Sequence, residues 1–184
     1  MTFQQRKKDV LSKIDKSSIG GWDKRVLGLC EKINKSEHYY TTSSCSGRII
    51  IIKDEDKKVP GLFEFVSHDK ISFELLKKEI EKIKKGNFKF KTEPLILHVA
   101  CETLEDAEKL LKKAQFAGWK RSGAISLGKN IVLELISTEK LEFPLINDGR
   151  ALIDDNFMKI IAEKANKNLE NGWLKIEKLQ KFLN

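Results

Sequence analysis

The sequence holds only three cysteines, Cys30, Cys45 and Cys101, too far apart for the paired spacing of a zinc site. Their odd number excludes a complete disulfide framework, so a reducing cytoplasm is the expected compartment and no metal is expected. No apolar run exceeds Ile49 to Ile52, far short of the roughly 18 residues that a spanning helix needs. The opening MTFQQRKKD lacks the apolar core of a signal peptide, so a soluble chain without a membrane partner is expected. Missing as well are the GxGxxG and P-loop fingerprints of nucleotide sites and the HExxH and GxSxG fingerprints of hydrolases.

Charge is abundant. Lys+Arg number 35 against 27 Asp+Glu, and the formal charge of +8 favours encounter with polyanions such as nucleic acid. A lysine- and glutamate-rich solvated surface gives the same composition. At 184 residues the chain can bury a real core, and a single domain over 1–184 is expected.

Apolar periodicity predicts helices over 5–16 and 22–34, separated by the breakers SSIGG. The pattern then turns to strands at 39–44, 48–53 and 61–67, which read as a meander with the turn KDEDKK. Phe73, Leu76, Ile80 and Ile83 predict a helix stopped by Gly86-Asn87. A short strand near 88–90 and a strong one, PLILHVAC at 94–101, precede a helix capped by Thr103 and ended by Gly118. Strands follow at about 119–126, 130–137 and 150–153. The closing stripe from Phe157 to Leu183 predicts one long helix, with Gly172 a site for a kink. Hairpins mixed with helical crossovers point to an α+β domain: a mixed, largely antiparallel sheet flanked by helices.

Few residues stand out chemically. In YYTTSSCSGRIIII, residues 39–52, small residues before Arg48 let backbone N–H groups approach an anion, and a guanidinium can fork to a carboxylate or phosphate. An ordinary hairpin turn with Gly47 at an unusual backbone angle accounts for the same stretch. Cys45 can act as a nucleophile only beside an activating base, which the sequence does not supply; Cys30 and Cys101 read as core. His98 shares a strand face with Ile96 and Ala100, either as hydrogen-bonded core or as a site residue on the sheet, and His68 ends a strand. Glu93 starts the strong strand. AGWKRSGAIS, at 117–126, sets Ser122 and Gly123 beside Lys120 and Arg121, as a second anion-binding edge or a helix stop.

Taken in order, SCSGRI at 44–49, SHD at 67–69, EPLILHVAC at 93–101, AGWKRSGAIS at 117–126 and ST at 137–138 closely resemble the wybutosine-synthesising protein 3 family. These are tRNA wyosine-derivative methyltransferases. The likeness spans nearly the whole chain, with Phe63, Phe65 and Trp119 where relatives place other aromatics. It implies a non-Rossmann fold and transfer of a methyl group from S-adenosylmethionine to N4 of 7-aminocarboxypropyl-demethylwyosine, next to the anticodon of tRNA-Phe. It further implies that Ser44, Ser46, Gly47 and Arg48 meet a ligand, with Arg48 gripping either the donor's carboxylate or an RNA phosphate. Glu93 would contact the donor's amino group, Ser122 and Gly123 would complete the pocket wall, and His68 or His98 would orient or deprotonate the substrate nitrogen. The tRNA anticodon arm would rest on Lys77, Lys78, Lys82, Lys84 and Lys85, or on Lys112, Lys113, Lys120 and Arg121, with Tyr39, Tyr40 or Trp119 as stacking partners. The rival readings are a non-catalytic RNA- or nucleotide-binding module and a thiol-dependent enzyme built on Cys45.

Overall fold

The computed structural model describes residues 1–13, 23–55 and 61–183. Ile14, Trp22, the breakers SSIGG and the second half of the KDEDKK turn lie outside the described residues. Two compact units are formed, neither from one continuous stretch: Met1–Ser46, Leu95–Thr138 and Gly172–Asn184 build the first, Gly47–Pro94 and Glu139–Asn171 the second.

In the first unit, α1 (Phe3–Leu11) opens on a capping box in which Thr2 and Gln5 satisfy each other's backbone N–H. Asp23 caps α2 (Lys24–Lys35), and Val26, Leu29, Cys30 and Ile33 bury one helical face at three- and four-residue steps. The sheet runs β1 (Tyr39–Cys45), β5 (Ile96–Cys101), β7 (Ile131–Ile136), β6 (Gly123–Leu127), antiparallel throughout. Strand alternation sorts β5: Leu97, Val99 and Cys101 enter the core with α2, α4 (Leu104–Phe116) and Ile176 and Leu179 of α5 (Asp155–Phe182). Ala100, on the other face, packs with Tyr40 and Phe3. Trp119 is fully buried and donates its indole N–H to the Lys175 carbonyl at 3.1 Å.

The second unit orders its strands β3 (Phe63–Ser67), β2 (Arg48–Lys53), β4 (Phe88–Glu93), β8 (Leu141–Asn147), β9 (Arg150–Ala151). Ile49, Ile50 and Ile51 are wholly buried, and Leu76 and Ile80 of α3 (Phe73–Lys82) and Met158, Ile161, Ala165 and Leu169 of α5 are buried as well. Asn166 brackets Ile71 with two 2.8 Å bonds, and Asn168 donates to the Thr92 hydroxyl at 3.0 Å, so the polar residues of that helix face are satisfied.

The α+β class and antiparallel pairing agree with the sequence; several details differ. The strands make two sheets. β2 and β3 pair as expected, but β1 belongs to the other sheet, so the meander is broken at the Ser46–Gly47 turn, where Gly47 has φ 96°. Alternation reports which face of a strand is buried, never which strand lies beside it. β8 was not anticipated because Pro144 interrupts it; the proline sits beside a register shift at Phe88/Lys89, where a missing N–H is tolerated. Gly172 serves close packing: a Cβ there would stand 3.2 Å from Leu95 Cδ2. No helix among the described residues is long and apolar enough to cross a membrane.

Gly149 tests the second unit. Its φ is +74°, its N–H bonds the Gly86 carbonyl at 2.9 Å, and a Cβ would fall 2.3 Å from the Lys84 carbonyl oxygen. Gly149→Ala is expected to lose roughly 2–4 kcal/mol in urea denaturation. Gly128→Ala, where a Cβ meets nothing within 4 Å, should stay within about 0.5 kcal/mol of the parent.

Candidate active site

A row of four residues crosses the sheet of the first unit. Ser43 on β1 pairs with His98 on β5, His98 with Glu134 on β7, and Glu134 with Gly123 on β6. Directly paired residues share a face, so the row stands on the side of β5 opposite the core. A register shift between Thr41 and Ser43 is what brings Ser43 and Cys45 to that side. His98 Nε2 lies 2.9 Å from Glu134 Oε2, and both side chains are partly exposed. Nδ1 has no partner among the described residues. A carboxylate on one ring nitrogen fixes the ring's orientation and tautomer and leaves the other to accept a proton. At the end of the row, the position of a Gly123 side chain is open space.

The turn after β1 is held by a residue distant in sequence. Asp23 Oδ2 accepts the Ser46 N–H at 2.9 Å while Oδ1 accepts that of Arg25 at 3.1 Å, so one carboxylate caps α2 and pins the serine turn. In the second unit Arg48 pairs with Glu93, its β4 neighbour, at 2.5 Å, and its guanidinium lies 5.1 Å from the Phe63 ring centroid. His68 follows β3, in a turn where the Ser67 hydroxyl accepts the Asp69 N–H and donates to the Asp69 carbonyl.

The expected site residues therefore fall in both units. Ser44, Ser46, His98, Ser122 and Gly123 belong to the first, and Gly47, Arg48, His68 and Glu93 to the second. His98 and Gly123 share the row, and Arg48 and Glu93 hold each other. Ser44 lies beside the Cys30 thiol, and Ser122 donates to the Trp119 carbonyl at 2.7 Å while accepting the Ile136 N–H at 3.0 Å. Trp119 and Tyr40 are buried and cannot stack on an RNA base; the exposed aromatics include Phe63, Phe116 and Phe157. Several lysines are in ion pairs, Lys77 with Asp155, Lys82 with Glu79 and Lys112 with Glu108. Glu134 and Asp23 were not anticipated as site residues. The available signals were a lone carboxylate inside the apolar run NIVLELI and an aspartate just ahead of a helix.

Three further groups of the first unit are notable. The Ser46 and Ser137 hydroxyls and the Trp173 indole N–H are buried with no hydrogen-bond partner among the described residues. Buried polar groups are nearly always bonded, so these three stand out as able to receive a ligand.

Two antiparallel sheets flanked by helices, with a carboxylate-bound and partly exposed histidine on the sheet face opposite the core, define an α+β protein outside the doubly wound dinucleotide-binding class. The profile of the family described as "Methyltransferase TYW3" matches residues 5–184, and the chain belongs to that family. A Danio rerio protein named tRNA wybutosine-synthesizing protein 3 homolog is 35% identical, covering 99% of this chain and 74% of its own. A Methanocaldococcus jannaschii protein is 31% identical over 94% of this chain and 92% of its own. Its name is tRNA(Phe) 7-((3-amino-3-carboxypropyl)-4-demethylwyosine(37)-N(4))-methyltransferase. A solved structure of a Pyrococcus horikoshii protein superposes with a TM-score of 0.90 at 30% identity, covering 100% of this chain and 96% of its own.

Burial pushes the Cys30 and Cys101 thiols up to about 12, so neither is a nucleophile at neutral pH, whereas Cys45 is half-buried on the face that carries His98. Iodoacetamide at pH 8 is expected to alkylate Cys45 first in the native protein, with Cys30 and Cys101 modified only on unfolding. Peptide mass mapping over time checks this order.

Proposed function

We propose that the protein transfers a methyl group from S-adenosylmethionine to N4 of 7-(3-amino-3-carboxypropyl)-4-demethylwyosine beside the anticodon of phenylalanine tRNA, in the cytoplasm. Family membership supports the reaction class, and relatives from several archaea carry that activity in their names. The observation in this chain that carries the reading is the partly exposed His98–Glu134 pair on the sheet face opposite the core.

The donor, when bound, supplies a methyl carbon on a sulfonium. The ring nitrogen forms the new N–C bond as the S–C bond breaks to a thioether, and the ring gives up one proton. His98 is the group to take it, with Glu134 holding the imidazole in place and balancing the charge that appears on it. The open space at Gly123 leaves room for a planar ring against the sheet. Most of the acceleration comes from holding nitrogen, methyl and sulfur in line, which requires fixed groups at both ends of the donor. The donor's polar ends need buried hydrogen-bonding groups, and the hydroxyls of Ser46 and Ser137 with the Trp173 N–H fit that need. In the second unit, Arg48 can exchange its contact with Glu93 for an RNA phosphate. The net charge of +8 draws the tRNA in by releasing counterions from its phosphates.

The test is methyl transfer from labelled S-adenosylmethionine to phenylalanine tRNA carrying the demethyl tricyclic base, read by nucleoside mass spectrometry. His98→Asn should lower kcat by roughly 10²–10⁴ with the donor's KM little changed. Glu134→Gln should lower it less, by about ten-fold or more. Wild-type protein that adds no methyl defeats the reaction; full activity in His98→Asn removes His98 from it.

A further inference from the structure

Three of the unpartnered groups of the first unit belong to residues that neighbour Leu95 and Gly172. Ser46 and Ser137 are each 1% exposed, and their hydroxyls and the Trp173 indole N–H bond to nothing among the described residues. Ser137 donates its backbone N–H to the Leu95 carbonyl at 3.2 Å. Leu95 Cδ2 and the Ser46 carbonyl oxygen stand 3.2 and 3.9 Å from the place a Gly172 Cβ would take, and Trp173 is the next residue. The Arg25 guanidinium lies 4.0 Å from the Trp173 ring centroid, and the Asp23 carboxylate accepts the Ser46 N–H at 2.9 Å. Alanine and phenylalanine would fill these positions without leaving a polar atom unmet, so folding does not explain the hydroxyls or the indole nitrogen.

The chemistry of the cluster is specific. Two hydroxyls, an indole N–H and a guanidinium make a donor-rich, cationic pole suited to a carboxylate, which only accepts. Asp23, two residues before Arg25 and bonded to the Ser46 N–H, is suited to an ammonium. An α-amino acid group presents both charges on one carbon. We infer that Ser46, Ser137, Trp173 and Arg25 bind the carboxylate, and Asp23 the ammonium, of a 3-amino-3-carboxypropyl group. That group has two sources in the reaction proposed above, on which this inference rests. The methyl donor carries it on sulfur, and the tRNA base carries it at the position given in the relatives' names.

Calorimetry on the full chain tests the donor arm, comparing S-adenosylhomocysteine, which keeps the group, with 5′-methylthioadenosine, which lacks it. Methyl transfer tests the base arm, comparing tRNA whose tricyclic base bears the group with tRNA whose base does not. In Ser46→Ala, Ser137→Ala and Trp173→Phe, a roughly ten- to hundred-fold loss confined to S-adenosylhomocysteine assigns the site to the donor. The same loss seen only as a raised KM for the tRNA bearing the group assigns it to the base. Losses equal for ligands with and without the group, or no loss in either arm, overturn the inference while leaving the wild-type reaction intact. Wild-type protein that binds neither nucleoside and methylates neither tRNA overturns the reaction and the inference together. The two alanine variants should melt no lower than wild type, because the hydroxyls removed have no bonds to lose; a lowered melting point places the serines in the fold rather than at a ligand.

Discussion

The site in the first unit depends on the register of β5. Because side chains alternate across a strand, burying Leu97, Val99 and Cys101 in the core obliges His98 to stand on the other face. Pairing with β7 then sets Glu134 beside it, and pairing with β1 and β6 adds Ser43 and Gly123. A slip of one residue would bury the histidine and expose three core side chains, so the hydrophobic effect that forms the sheet also fixes the position of His98. The dyad needs no special loop to hold it. Catalytic geometry borne on a strand is more rigid than geometry borne on a loop, and a methyl transfer that relies on alignment benefits from that rigidity.

The serine turn is held by a different device. Its small residues cannot anchor themselves through packing, and Asp23 does so from a helix cap, spending one carboxylate on two backbone N–H groups. The Arg48–Glu93 pair contrasts with it. Both partners are about a third exposed, and such a pair contributes only about 0–1 kcal/mol, so exchanging it for ligand contacts costs little. One contact fixes backbone, and the other is free to change partners.

Much of this was legible in the chain. The β5 alternation, the amphipathic stripes of α2 and α3 and the long closing helix follow from periodicity alone, and His98 was marked by being polar within an apolar strand. The resemblance supplied what periodicity could not, the family. Sheet membership was not legible, because β1 and β2 are adjacent in sequence yet pair with different strands. Glu134 gained meaning only when β7 was laid beside β5. The tie from Asp23 to Ser46 has no signature in the sequence, and Trp119, read as a stacking partner, is enclosed by burial.

The central claim is that the face of the first sheet opposite its core receives the tricyclic base at His98. Histidine ring nitrogens report this directly: the chain has three histidines, and labelled rings can be assigned by substitution. With S-adenosylhomocysteine present, an anticodon stem–loop carrying the demethyl tricyclic base should shift the Nδ1 resonance of His98, and a stem–loop with unmodified guanosine should not. His98 ring signals identical in the presence of both would contradict the account.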